Sequence, residues 1–302
     1  MKRFTPIYIL VAFLGLESCV DQSPSSNSIA NKPVEAENSN RLQNEKVKTI
    51  KNIFYSLPSP LELSSLFKQE GIVYKSEKLH QLEKREDYHL THMKALNLGV
   101  YGADLSYAAL FGVHEDAITY FSATQIIADQ LGIGQTFRKK FVSRLEENAN
   151  NKDTLLQVIS DFFLTNEAYL KDSKQQDIST YVLLGGWIEG MYLGSQMIGD
   201  KSDTTGIHRI IASQKNSLSE LLLMIDEIEQ KPQEIQKLYT SLESLKTIYE
   251  DVVTFKEVNH SELANSKMQN EKKTSDSKVE LNPLALKAIK LEIEKTRALI
   301  IQ

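Results

Sequence analysis

Of 302 residues only one, Cys19, is a cysteine. A single thiol excludes an intramolecular disulfide, cysteine-pair zinc sites and dithiol redox motifs. Proline (7) and glycine (13) are also scarce, so each reads as a seam between elements. No Asn-Gly or Asp-Gly pair occurs and no stretch sustains period-two alternation, which argues against hairpins and sheets. Gly-x-Ser-x-Gly, phosphate-loop, dinucleotide-binding and His-Glu-x-x-His motifs are all missing. The net charge is −5 with no dense basic run, so nucleic acid is not an expected partner. These absences predict no catalytic residue, no cofactor and no resident metal.

What is present begins at the N-terminus. Lys2 and Arg3 precede an apolar stretch from Phe4 to Leu16. It is shorter than the roughly 20 residues a bilayer span requires and fits the hydrophobic region of a signal peptide. It ends in Leu16-Glu17-Ser18-Cys19, the lipobox pattern of bacterial lipoproteins, with Glu17 departing from the usual small or apolar residue. In that pathway the thiol receives diacylglycerol, the peptide is cut before the cysteine, and the new amine takes a further fatty acyl chain such as palmitate. Several chains on one residue anchor stably where one does not. The expectation is a signal peptide over residues 1–18, a lipidated Cys19 and a flexible tether over 19–46. The tether is rich in serine, asparagine and glutamate and lacks aromatics. As a coil it would reach roughly 30 Å.

Beyond the tether the apolar residues recur at helical spacing. Ser59 suits an N-cap, Pro60 a first helical position and Gly71 a stop. A helical period runs from Glu86 to Gly112, and further helices are predicted over 114–131, 136–150, 154–170 and 179–199. Ser217 and Glu220 form a capping-box pattern. Pro232 can start a helix whose Leu238, Leu242, Leu245, Tyr249 and Val252 make a packing seam. A polar linker over 259–282 precedes an amphipathic helix over 283–302, whose Leu286, Ile289, Ile293 and Ile300 would dock on the chain's own core. The predicted fold is an all-α, single-domain bundle of about eight to ten helices, with the main helical domain over 47–258.

Two segments carry one charge each. Ala95 to Gly112 holds Asp104, and Tyr181 to Gly199 holds Glu189. Superimposed, "YGADLSYAA" and "GWIEGMYLG" share an acid with a tyrosine three residues on, which places Asp104 with Tyr107 and Glu189 with Tyr192 on one helical face each. Gly186, Gly190 and Gly194 recur at steps of four and are expected to admit another backbone. Acids central to apolar helices need partners. Asp104, Tyr107, Glu189 and Tyr192 are therefore the candidate ligand-binding residues, set against the reading that tyrosine hydroxyls, helix N-termini or water satisfy the two acids structurally. Glu86, His89 and His92 follow the Glu-x-x-His half-motif of di-iron bundles, but no second copy exists, and a polar helix face is the expected reading.

The stretches "YSLPSPLEL" (Tyr55 to Leu63), "ALNLGVYGADLSYAALF" (Ala95 to Phe111) and "GGWIEGMYLGSQ" (Gly185 to Gln196) resemble those of a family of uncharacterised lipoproteins from Bacteroidota. The resemblance implies a Gram-negative envelope and carries no catalytic residue with it. The expected function is that of a binding or scaffold module, lipid-anchored at the outer membrane facing the periplasm, with an envelope protein as partner. The alternative is a small-molecule binder or enzyme with a cleft around Asp104 and Glu189.

Overall fold

Ser59 and Glu62 start the first helix reciprocally. The Glu62 N–H donates to Ser59 Oγ at 3.2 Å and the Ser59 N–H donates to Glu62 Oε2 at 2.7 Å, with Pro60 in the first turn. The computed structural model describes residues 58–71, 73–133, 175–196, 205–255, 279–281 and 283–302, together with 144, 157, 158 and 161. The chain divides into two units, Met1–Val47 and Lys48–Gln302, and every described residue lies in the second. The signal peptide, Cys19, the tether and most of the predicted helices over 136–150 and 154–170 lie outside the described residues.

The fold is all-α and multi-helical. Among the described residues the helices are α1 (Pro60–Gln69), α2 (Thr91–Phe111), α3 (His114–Gln130), α4 (Gln176–Ser195), α5 (Thr205–Ser213), α6 (Lys215–Asp226), α7 (Gln233–Val252) and α8 (Pro283–Ile300). Two 3₁₀ turns, Ser76–Lys78 and Leu82–Glu86, link α1 to α2. The helices α2 and α3 end where glycine takes a left-handed conformation, Gly112 and Gly132 both at φ +77°. In each case the next residue's N–H returns to the carbonyl five positions back, Val113 to Ala108 and Ile133 to Ala128.

At the centre, α2 is buried along nearly its whole length and packs on α1, α3, α4 and the end of α8. A helix apolar on every side has no face to give to water, which explains its low charge. Its most extensive partner is α4. The two backbones meet at Gly99 and Gly185: a Cβ on Gly99 would strike the Val182 carbonyl oxygen, and one on Gly185 would strike that of Leu96. The backbone approach expected at Gly186, Gly190 and Gly194 thus falls instead at Gly185, outside that series. Gly186 sits beside Pro60 and Gly99, while Gly190 and Gly194 make room for the side chains of Leu63 and Phe67 on α1. Small residues accept knobs as readily as backbones, and sequence spacing does not distinguish the two.

Three other expectations shift. The helix predicted from Glu86 begins at Thr91, because Leu82–Glu86 is a 3₁₀ turn followed by a break. The capping box at Ser217 and Glu220 is not used: α6 starts at Lys215 and Ser217 is buried within it. Gln214, just before that helix, makes no side-chain cap and accepts the Trp187 Nε1–H at 3.1 Å. Finally, Val253–Phe255 (β1) and Val279–Leu281 (β2) form a short antiparallel ladder, Val253 opposite Leu281 and Phe255 opposite Val279. Three residues of alternation are too few to stand out in a sequence, and the ladder takes the end of the predicted polar linker. On α7 the seam is as expected at Leu238, Leu242, Leu245 and Tyr249, all buried, while the side chain of Val252 lies outside what the structure describes. On α8, Leu286, Ile289, Ile293 and Ile300 are buried in the chain's own core.

The crossing at Gly185 yields a test. Gly185→Ala sets a methyl against backbone that cannot rotate away and is expected to cost more than about 3 kcal/mol in urea unfolding. Gly190→Ala meets only the end of the Leu63 side chain and is expected to cost clearly less. Equal losses in the two variants would contradict a backbone crossing at Gly185.

Candidate functional site

Asp104 lies on α2 and Glu189 on α4, and the glycine crossing between these helices brings their carboxyl groups together. Both residues have 0% solvent exposure. The two carboxyl groups are close enough for each to act on the other's protonation. A third group, absent from the sequence-based candidates, completes the cluster: Arg297 on α8. Its Nε donates to Glu189 Oε2 at 2.5 Å and its Nη2 to Glu189 Oε1 at 2.8 Å, a two-pronged pair in which Arg297 itself is only 8% exposed. The guanidinium also lies 4.0 Å from the ring centroid of Tyr192, one turn on from Glu189.

Asp104 is gripped from the segment before α2. The His80 N–H donates to Asp104 Oδ2 at 3.0 Å. The same residue is held on its other sides: Tyr120 OH donates to the His80 carbonyl at 2.8 Å, Tyr88 OH lies 2.6 Å from His80 Nε2, and the His80 ring packs 5.0 Å from that of Tyr101. Tyr101 OH donates to the Gln81 carbonyl at 2.7 Å. Asp104 Oδ1 receives no N–H or hydroxyl donor.

The electrostatics follow from burial. Loss of water raises the Asp104 carboxyl well above the usual carboxylate range, and the neighbouring Glu189 raises it further. Burial also raises Glu189, with Arg297 acting against the rise. Burial pushes His80 down to about 3, aided by the positive charge of Arg297, so its ring is neutral at neutral pH. For Arg297 burial acts to lower the value, but Glu189 outweighs it and the guanidinium stays charged.

Of the four candidate ligand-binding residues, Asp104 and Glu189 are therefore neighbours, and Arg297 joins Glu189 to Tyr192. Tyr107 does not join them. Its hydroxyl donates to the Val73 carbonyl at 3.0 Å and accepts from the Lys75 N–H at 3.1 Å, and its ring stacks on Tyr74 at 5.0 Å. An offset of three residues turns a side chain about 60° around a helix, enough here to aim it at another neighbour. Cys19 lies outside the described residues. Glu86, His89 and His92 do not share a helix face: Glu86 closes a 3₁₀ turn, and His92 Nε2 lies 3.1 Å from Glu234 Oε2 on α7. Among the described residues no group of three histidine, cysteine, aspartate or glutamate side chains could hold a metal ion.

A signal for Arg297 was in the sequence. Ile289, Ile293 and Ile300 mark the inward stripe of α8, and position 297 falls four after one of them and three before another. An arginine inside an apolar stripe calls for a buried acid, and the chain offers two. Other bonds hold the same helix: Asn97 Nδ2 donates to the Ile300 carbonyl at 2.9 Å, Gln196 Nε2 to Glu294 Oε1 at 2.8 Å, and Ser241 Oγ to Glu292 Oε1 at 2.8 Å. Chemically, the cluster holds charge and a helix; its carboxyl groups face protein, not solvent.

No family model matches the chain, and no curated protein or solved structure is detectably similar to it.

Breaking the pair from one side strands a buried charge. Arg297→Met is expected to cost about 3–5 kcal/mol in chemical unfolding, because Glu189 loses its counter-ion. Adding Glu189→Gln to that variant is expected to recover part of the loss, since the stranded charge is gone. A double variant as unstable as the sum of the two singles would mean the groups are energetically independent.

Proposed function

We propose that the protein is a lipid-anchored lipoprotein of the cell envelope, held at the outer membrane facing the periplasm, and that its helical body is a binding or scaffold module for an envelope protein. The anchor is read from Cys19 behind a basic start and a short apolar run. The likeness of three motifs to Bacteroidota lipoproteins agrees with it. No helix among the described residues is long and apolar enough to cross a membrane.

The choice of a binding module over a catalyst rests on one observation. The two acids that could have worked on a substrate are fully buried, and Glu189 is fully engaged by Arg297. General acid–base catalysis needs the carboxyl within hydrogen-bond reach of the substrate. The second reading, a small-molecule binder or enzyme around Asp104 and Glu189, draws on the fact that the two carboxyl groups do meet and that burial raises both. Their complete enclosure weighs against it.

Two measurements test the proposal. Cys19→Ser is expected to abolish fatty-acid labelling and to move the protein out of the membrane fraction; unchanged labelling and sedimentation would refute the anchor. Crosslinking in cells is expected to join the natural protein to a specific envelope protein that the Cys19→Ser form does not reach. Recovery of the same background from both forms would refute the binding role.

A further inference from the structure

The charges at the junction of α2, α4 and α8 do not balance if every group is ionised. Two carboxyl groups without solvent exposure share one cation. Arg297 occupies both oxygens of Glu189. Asp104 Oδ2 has the His80 N–H, but Asp104 Oδ1 is buried with no hydrogen-bond partner, and the neighbouring acid is Glu189. Two carboxylates are acceptors only, so neither can satisfy the other unless one keeps its proton. Glu189 has the guanidinium to stabilise its negative charge, and Asp104 has one backbone N–H.

We propose that Asp104 is a proton-binding site: in the folded protein it stands as a neutral carboxylic acid at neutral pH, donating its hydrogen to Glu189, so that Arg297 has one anion to neutralise. The groups around it are consistent with a single extra proton. From α4 it faces Glu189 and Tyr192, from α8 Arg297, from α3 Tyr120, and from the segments before α2 Tyr74 and His80, with Tyr88 on the far side of the His80 ring; Tyr101 and Tyr107 share its own helix. The tyrosines are raised by burial and stay neutral, and His80 is lowered and stays neutral. Arg297 is the cation among these described residues.

The site has a direction in pH. In the unfolded chain an aspartate gives up its proton near ~3.9. The folded chain keeps it to higher pH, so over the interval between the two values the folded state binds one proton more. The corresponding stability is complete below the ordinary carboxylate range and is lost as pH rises towards the folded value. Within that interval the unfolding constant increases about tenfold per pH unit from this group alone.

Infrared spectroscopy of the natural chain in heavy water at neutral pH is expected to show a carbonyl band of a protonated carboxyl group. The band should vanish in Asp104→Asn. It should vanish also in Glu189→Gln, where Asp104 becomes the counter-ion of Arg297 and ionises. Urea unfolding of Asp104→Asn, the neutral isostere, is expected to lack the steeper loss of stability on raising pH, by up to about tenfold in the unfolding constant per unit relative to the natural chain. A natural chain without the acid band overturns the proposal, as does a band that persists in either variant. An Asp104→Asn chain that keeps the natural pH dependence, or that fails to fold at neutral pH, overturns it as well.

Discussion

The ion pair between Arg297 and Glu189 is the constraint around which the core is arranged. Removing both charges from water costs several kcal/mol per ion, and their mutual attraction offsets this only with good geometry. Here the geometry is two-pronged and supported by the face of Tyr192. Such a pair adds little net stability compared with an apolar filling of the same shape. What it does supply is register. The stripe of isoleucines on α8 could settle one turn up or down with similar burial, but a fork of two hydrogen bonds meets a carboxylate in one place. Asn97 on the Ile300 carbonyl fixes the same helix at its end.

The pair in turn needs the crossing of α2 and α4. Glu189 and Asp104 belong to different helices, and they share one cation because those helices approach to backbone contact at Gly99 and Gly185. Wider separation would place the two acids in separate environments, each with its own desolvation cost. Tight approach lets the field of one guanidinium act on both. The tyrosines that surround the loop at His80 complete this arrangement, because their hydroxyls satisfy backbone groups that helix formation leaves open.

Much of this was legible in the sequence, and the unread part has physical causes. The seam of α7, the stripe of α8 and the cap at Ser59 were readable because helical period and local capping are local properties. That Asp104 and Glu189 would be buried was readable from the apolar runs around them. Where they would point was not. Tyr107 and Tyr192 stand at the same offset from their acids, yet one stacks on Tyr74 and the other lies under Arg297. The choice is made by neighbours distant in sequence. The start of α6 was missed as well: the predicted cap is not used, and Gln214 engages Trp187. Arg297 was legible in principle as a cation within an apolar stripe, and linking it to Glu189 required only asking what such a cation would neutralise.

Chain order gives the cluster one further consequence. Among the described elements α8 comes last, and the bonds it makes reach back 108 residues to Glu189 and 203 to Asn97. Until α8 arrives, the crossing of α2 and α4 contains two acids and, among the described residues, no cation bonded to either. Closing that crossing dry would leave Glu189 either as a buried charge without its counter-ion, at a cost of about 3–5 kcal/mol, or as a neutral acid. The packing of the central helices is therefore at its most stable with the last one in place. Contacts of such long range slow folding. They also make the packed core depend on α8 being in place, so the charge inside the protein couples its parts more tightly than apolar packing alone would.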